Sequence, residues 1–219
     1  MSIVEFVDVS VAFTNGGTKT WGLRDASVSF GDGLTVVMGV SGSGKSTLLS
    51  VAGLLRRPTS GTVKFEGQDA ASLSIRALDE LRADAISFVF QDHGLVPHLT
   101  LLENVMLPLL AKQSKDSTEW AFELLDTVGL GDHAEKLPSQ VSIGQAQRAA
   151  LCRGVIREPR LILADEVTAS LDADSAKIIA DLLRQAVDAG VPVILATHDP
   201  RLVNLADDLV RLEDGEVIK

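Results

Sequence analysis

The eight residues Gly39-Val40-Ser41-Gly42-Ser43-Gly44-Lys45-Ser46 constrain this chain more than any other stretch. Ahead of them the apolar run Leu34-Thr35-Val36-Val37-Met38 predicts a buried strand. Behind them Ser46 to Val51 predict the first turns of a helix. Strand, glycine-rich turn and helix in that order make a loop whose backbone N–H groups can converge on a phosphate at the helix N-terminus. Gly39, Gly42 and Gly44 permit backbone angles that a side chain forbids. Lys45 places a positive charge between the β- and γ-phosphates, and Ser46 offers a hydroxyl to Mg2+. A glycine-rich turn with a solvated lysine is the plainer alternative, and the strand and helix flanks weigh against it. The loop residues, with Thr47 after them, are therefore candidate contacts to a nucleoside triphosphate.

A chain of 219 residues suits one α/β domain, or a core with an inserted subdomain. No apolar run approaches the roughly eighteen residues of a membrane span. The start MSIVEFVDVS carries Glu5 and Asp8 and alternates like a strand, unlike a secretory signal, so a cytoplasmic location is expected. A formal net charge of -10 argues against broad binding to nucleic acid or anionic lipid, which leaves a protein partner as the route to a membrane. Cys152, the only cysteine, is expected as a reduced, buried thiol on a helix following Gln145.

Along the chain, Ile3 to Phe13 and Ala26 to Phe30 read as strands around the turn-rich Asn15-Gly16-Gly17, an antiparallel start. Thr62 to Glu66 and Ile86 to Phe90 read as further strands, with a helix over Ile75 to Arg82 between them. From Leu101 to Gly129 apolar residues recur at helical spacing, which predicts a helical insertion. Leu161 to Ala164 and Val193 to Thr197 return to strand character around a helix over 174–189, and a hairpin turns at Asp214-Gly215.

The run Leu161-Ile162-Leu163-Ala164 ends in Asp165-Glu166, which places two carboxylates at the C-terminal end of a parallel strand, where open α/β sheets bind ligands. Asp165 fits a Mg2+ ligand, and Glu166 fits a base for an attacking water. A solvated acidic pair is the alternative; the phosphate loop upstream weighs against it. Gln91 after a strand, Val141-Ser142-Ile143-Gly144-Gln145, Ala169-Ser170-Leu171-Asp172 and His198 at a strand end follow in an order that resembles the ATP-binding cassette family over nearly the whole chain. That resemblance implies a P-loop core, a parallel sheet with an antiparallel β subdomain, in one domain over 1–219 with a helical subdomain inserted at about 92–157. It implies ATP and Mg2+ as cofactors, with Mg2+ held by Ser46, Gln91 and Asp165. It also implies that two cassettes pack head to tail, so that Ser142, Gly144 and Gln145 face the partner's nucleotide. Glu166, His198 and Gln91 take catalytic roles in this scheme, and Phe13 stacks on adenine; a core position for Phe13 is the alternative. Trp21 and Trp120 are expected as packing residues.

Two departures from the family pattern are Ile143, where a glycine is usual, and Val167, where a proline is usual. The expectation is retained ATP binding with slowed hydrolysis. Phe90 to Thr100 with Glu103-Asn104-Val105 is similar to the MacB/LolD/FtsE-like branch, whose small cassettes power a separate permease bearing an extracytoplasmic domain. That implies a peripheral place on the cytoplasmic face of the cell membrane. Residues 168–174 and 197–202 look most like heme-efflux cassettes. A soluble cassette of translation or DNA repair, and a nucleotide-gated assembly subunit weakened in turnover by Ile143, are the competing readings.

Overall fold

The computed structural model describes residues 2–16, 18–112 and 115–218. Gly17 of the expected turn, Gln113 and Ser114 of the expected helical stretch, and the terminal Met1 and Lys219 lie outside the described residues. The chain opens with a long antiparallel ribbon, β1 (Val4–Asn15) and β2 (Thr18–Phe30), paired from Val4↔Phe30 to Asn15↔Thr18. Strands β4 (Ser60–Phe65) and β5 (Gln68–Asp69) extend it to a four-stranded sheet in the order β2-β1-β4-β5. The six-stranded sheet has the order β10-β9-β3-β8-β7-β6. In it β3 (Leu34–Met38), β6 (Ile86–Val89), β7 (Leu161–Asp165), β8 (Val193–Thr197) and β9 (Asp208–Glu213) run parallel, and β10 (Glu216–Ile218) closes the edge antiparallel.

The central strands are apolar throughout because both of their faces are covered. Alternate side chains separate into two cores. Leu34, Val36, Ile162, Ala164, Val193 and Leu195 join a cluster with the helices α3 (Leu101–Met106), α4 (Lys115–Thr127), α5 (Ile143–Val155) and α6 (Ala173–Asp188). Val37, Leu161, Leu163, Ile194 and Ala196 face the other way, onto α1 (Lys45–Ala52), α2 (Ile75–Ala85) and the inner face of the antiparallel sheet at Phe6, Phe30 and Phe65. The parallel sheet is thus held between an antiparallel layer and a helical one.

The stretch between β6 and β7 carries α3, α4 and α5, with no strand among its described residues. Two of its helices, α3 and α5, start on side-chain caps. Thr100 and Glu103 cap α3 reciprocally, and Ser142 and Gln145 do the same for α5. Among the described residues no helix is long and apolar enough to cross a membrane. Cys152 is buried on α5 with its Sγ 3.4 Å from the Leu124 carbonyl oxygen, and burial pushes its pKa up to about 12.

One sequence expectation needs correction. The second strand begins at Thr18 rather than Ala26, because Lys19, Gly22, Arg24 and Asp25 break the apolar alternation while the backbone pairing with β1 continues through them.

The second half of the loop from Phe90 to Thr100 is held by the side chain of Asn104. Asn104 is 0% exposed; its Oδ1 accepts from Val96 N–H at 2.7 Å, and its Nδ2 donates to the carbonyls of Val96, Leu99 and Thr100 at 2.9–3.1 Å. Replacing it strands several buried backbone groups at once. Asn104→Ala is therefore expected to lower the unfolding free energy by about 2–4 kcal/mol, measured by urea denaturation; a loss within error of zero removes the amide's assigned role.

Candidate functional site

The ends of three adjacent parallel strands, β3, β8 and β7, define the site. The phosphate loop leaves β3 at Met38 and enters α1 at Lys45. Gly44 has φ +109°, and a Cβ there would stand 2.2 Å from the Gly22 carbonyl oxygen, so the turn tolerates no side chain. Gly44 caps α1 without a side-chain acceptor, which leaves the first N–H groups of the helix free for an anion. Two backbone bonds brace the loop: Ser43 N–H to the Val40 carbonyl at 3.1 Å and Gly215 N–H to the Ser43 carbonyl at 2.9 Å.

Lys45 is 6% exposed. Its Nζ donates to the carbonyls of Gly39 at 2.8 Å and Val40 at 3.2 Å, and lies 3.3 Å from Oε1 of Glu166. The second oxygen of Glu166 is 2.7 Å from Nδ1 of His198. An ionised carboxylate only accepts, so Nδ1–H donates and Nε2 is left as an acceptor in the neutral ring. Glu166 holds this place with φ +50°, unusual for a residue with a side chain, and its N–H is anchored at 2.9 Å on the Ala196 carbonyl at the end of β8.

Asp165 precedes it at the tip of β7. Burial raises its pKa, and the charge of Glu166 adds to the rise; a hydrogen bond with Ser46 and the charge of Lys45 oppose it. Its Oδ1 is buried without a partner, as are Ser43 Oγ in the loop and Thr168 Oγ1 in the turn after β7. Among the described residues no group of three His, Cys, Asp or Glu side chains could hold a metal by itself. An orphaned carboxylate oxygen beside a hydroxyl nevertheless fits a hard divalent cation whose other ligands are phosphate oxygens and water.

A cleft of about 740 Å³ joins these groups. Phe13, Val40, Ser41, Gly42, Gly44, Lys45, Ser46, Thr47, Gln91, Glu166 and His198 line it, so most of the residues singled out in the sequence meet in one place. Phe13 is 36% exposed at one end, which a core position would not allow. Gly39 and Ser43 belong to the loop behind the cleft wall. Ser142, Gly144 and Gln145 do not reach the cleft. They start α5, where Ser142 and Gln145 satisfy each other's backbone at 3.2 and 2.8 Å. A Cβ on Gly144 would meet Ser175 Oγ at 2.8 Å, so this glycine is required by packing against α6. Ile143 points outward, 57% exposed.

Three cleft-lining residues, Thr20, Trp21 and Gly22, escaped the sequence reading. Trp21, expected only to pack, contributes to the cleft wall, with the Lys19 ammonium 4.0 Å over its ring. Gly22 also lines the cleft, and a Cβ there would meet the Phe13 ring at 2.5 Å. A glycine inside a strand was the available signal of that close approach. Trp120, expected to pack, is 40% exposed, with its Nε1 3.4 Å from the Ile156 carbonyl oxygen.

The raised pKa of Asp165 has a consequence for stability. Its folded-state pKa lies above the unfolded one, so folding is penalised once pH rises above the ordinary aspartate range, and not below it. Without nucleotide or Mg2+, Asp165→Asn should therefore raise Tm at pH 7.5. The gain should shrink as pH falls into the acid range. Thermal scans at several pH values check this, and a variant less stable than the parent at pH 7.5 contradicts it.

A family profile described as ABC transporter matches residues 23–169. The chain is 42% identical over 220 residues to the lipoprotein-releasing system ATP-binding protein LolD of Anaeromyxobacter dehalogenans, covering 98% of this chain and 92% of that one. It is 37% identical to the macrolide export ATP-binding/permease protein MacB of Salmonella typhimurium over 99% of its own length, but spans only 34% of that longer protein. Among solved structures, the dimeric post-hydrolysis state of the ATP-binding cassette MJ0796 bound to ADP and Pi superposes with a TM-score of 0.92 at 34% identity, covering 99% of this chain and 97% of that one.

Proposed function

The chain belongs to the ABC transporter family, and from that premise we propose that it is the ATP-hydrolysing subunit of a LolD/MacB-type system, paired with a second cassette and driving a separate membrane permease. The observation that carries the catalytic part is the Glu166 carboxylate, which bridges Lys45 and His198 at the floor of the cleft. In this reading residues 39–47 and the first turn of α1 hold the phosphates, and Phe13 carries the base. Lys45 exchanges its contacts with Glu166 and the loop carbonyls for phosphate oxygens. Glu166 is thereby released to accept a proton from water, and His198 fixes its carboxylate through Nδ1–H and offers its other nitrogen to the γ-phosphate.

Asp165 and Ser46, with Gln91 alongside, are the residues that would hold Mg2+, which when bound would screen the charge of the phosphate oxygens. Residues 92–157 act as an inserted helical subdomain. Ser142, at the exposed start of α5, meets the nucleotide held by the other copy; the dimeric state of MJ0796 supports this arrangement. The permease holds the pair at the cytoplasmic face of the membrane. For cargo the reading is heme efflux, resting on residues 168–174 and 197–202, with selection left to the permease.

Steady-state phosphate release from the purified chain tests the proposal. Glu166→Gln should lower kcat by about 10²-fold or more while nucleotide binding is kept, and the parent's specific activity should rise with protein concentration as dimers form. A rate untouched by Glu166→Gln refutes the assignment of the base. A second reading, a subunit that binds ATP with little turnover, draws on the exposed Ile143 at the helix start. Ile143→Gly removes no core contact and costs about 1 kcal/mol of helix propensity at most. It should raise the permease-stimulated rate; unchanged turnover would show that the position tolerates the branch. Reconstituted with its permease, the parent should hydrolyse ATP faster when heme is added. No response to heme sinks the cargo reading alone.

A further inference from the structure

We propose that Arg56 is a positioning residue for the nucleotide base, acting through the ring of Phe13; the proposal rests on the reading of Phe13 as the platform for that base. The Arg56 guanidinium carbon lies 4.5 Å from the centre of the Phe13 ring. Phe13 lines the nucleotide cleft and Arg56 does not. Arg56 instead borders a separate cavity of about 170 Å³, which also touches Thr59 and Leu78. The guanidinium thus meets the ring from outside the cleft that the ring itself lines. The edge of the ring is fixed as well, since it abuts Gly22 so closely that a Cβ there would come within 2.5 Å.

The segment that delivers Arg56 is itself tied down. After α1 the backbone turns through Leu54 at φ +57°, and the N–H groups of Leu55 and Arg56 both donate to the Ser50 carbonyl at 2.9 and 3.0 Å. Three residues on, Thr59 Oγ1 accepts from the N–H of Ala12, the neighbour of Phe13, at 3.0 Å. Thr59 N–H donates to the Ser10 carbonyl at 2.8 Å. One short connection thus sets both the backbone beside Phe13 and the cation on its ring. It begins at the end of α1, the helix whose first residue is Lys45. Phosphates and base are positioned from the two ends of the same helix. A guanidinium on one face of an aromatic ring restricts its rotation and is attracted by its quadrupole, so the ring is ordered before a base arrives.

The test compares two ligands, each with Mg2+: the slowly cleaved analogue ATPγS and inorganic tripolyphosphate, which has no base. Calorimetric titration of the full chain should find that Arg56→Gln weakens ATPγS about three- to tenfold and leaves tripolyphosphate unchanged, with Arg56→Lys recovering part of the loss. In a Phe13→Ala background Arg56→Gln should add nothing. Equal weakening of both ligands, or an undiminished effect without the ring, would mean that Arg56 acts as a general charge and overturns the proposal. A base-dependent loss in Phe13→Ala with none in Arg56→Gln overturns the role of Arg56 and leaves Phe13 as the platform. If Phe13→Ala itself binds both ligands like the parent, the platform reading fails and this proposal falls with it.

Discussion

The contact between Lys45 and Glu166 is the interaction on which the site depends. Both side chains are largely withdrawn from water, 7% and 16% exposed, and a lysine so buried needs a partner and satisfied hydrogen bonds to stay charged. It has them in the Gly39 and Val40 carbonyls and in the carboxylate. Because Lys45, Glu166 and His198 follow β3, β7 and β8, the contact forms only if these three strands lie side by side and parallel, as the order β3-β8-β7 provides. The register of the sheet, Met38 beside Thr197 and Asp165 beside Ala196, brings the three groups level. The two apolar cores hold that register, and the charged cluster is the result.

A second set of bonds extends outward from this centre. The buried Gln147 on α5 donates at 3.0 Å to the carbonyl of Phe90, just before Gln91. Arg153 on the same helix donates to the carbonyls of His93 and Gly94, just after it, at 2.8 and 2.6 Å. His93 and Gly94 both adopt left-handed backbone angles, so the segment curves around the guanidinium. Burial lowers the pKa of Arg153, and the charge of Asp92 opposes that shift. The helix that begins at Ser142 is therefore the element that grips the chain on both sides of Gln91. A rotation of α5 cannot leave Gln91 where it was.

Much of this was legible in the sequence, and the reason differs from element to element. The parallel strands stand out because burial on both faces leaves unbroken runs such as Leu161 to Ala164, and the phosphate loop stands out because its glycines have no substitute. Asp165 and Glu166 could be placed because a strand end is a local property. The length of β2 could not, since only its pairing with β1 makes residues 18–25 a strand. The Trp21 wall, the Gly22 approach to Phe13 and the packing of Gly144 on Ser175 also depend on segments distant in sequence. The motif reading of Gly144 expected a partner's nucleotide there. Within the chain, its lack of a side chain already serves the contact between α5 and α6.

Charge balance finally explains why an acidic protein can bind a polyanion. The chain carries a net charge of -10; Glu166 and Lys45 line its cleft, and the Asp165 carboxylate is buried beside them at the end of β7. At Asp165 burial, helped by the like charge of Glu166, outweighs the Ser46 hydrogen bond and the Lys45 charge, so its pKa is raised. A triphosphate entering alone would add several negative charges to a site that resists one. The uncapped start of α1 offsets part of that through its N–H dipoles, worth at most about half a charge. On the proposed reading the remainder would arrive with the ligand as a cation, for which Asp165 Oδ1 is an available acceptor. The charges at the end of β7 would then favour a metal-bound triphosphate over the free anion.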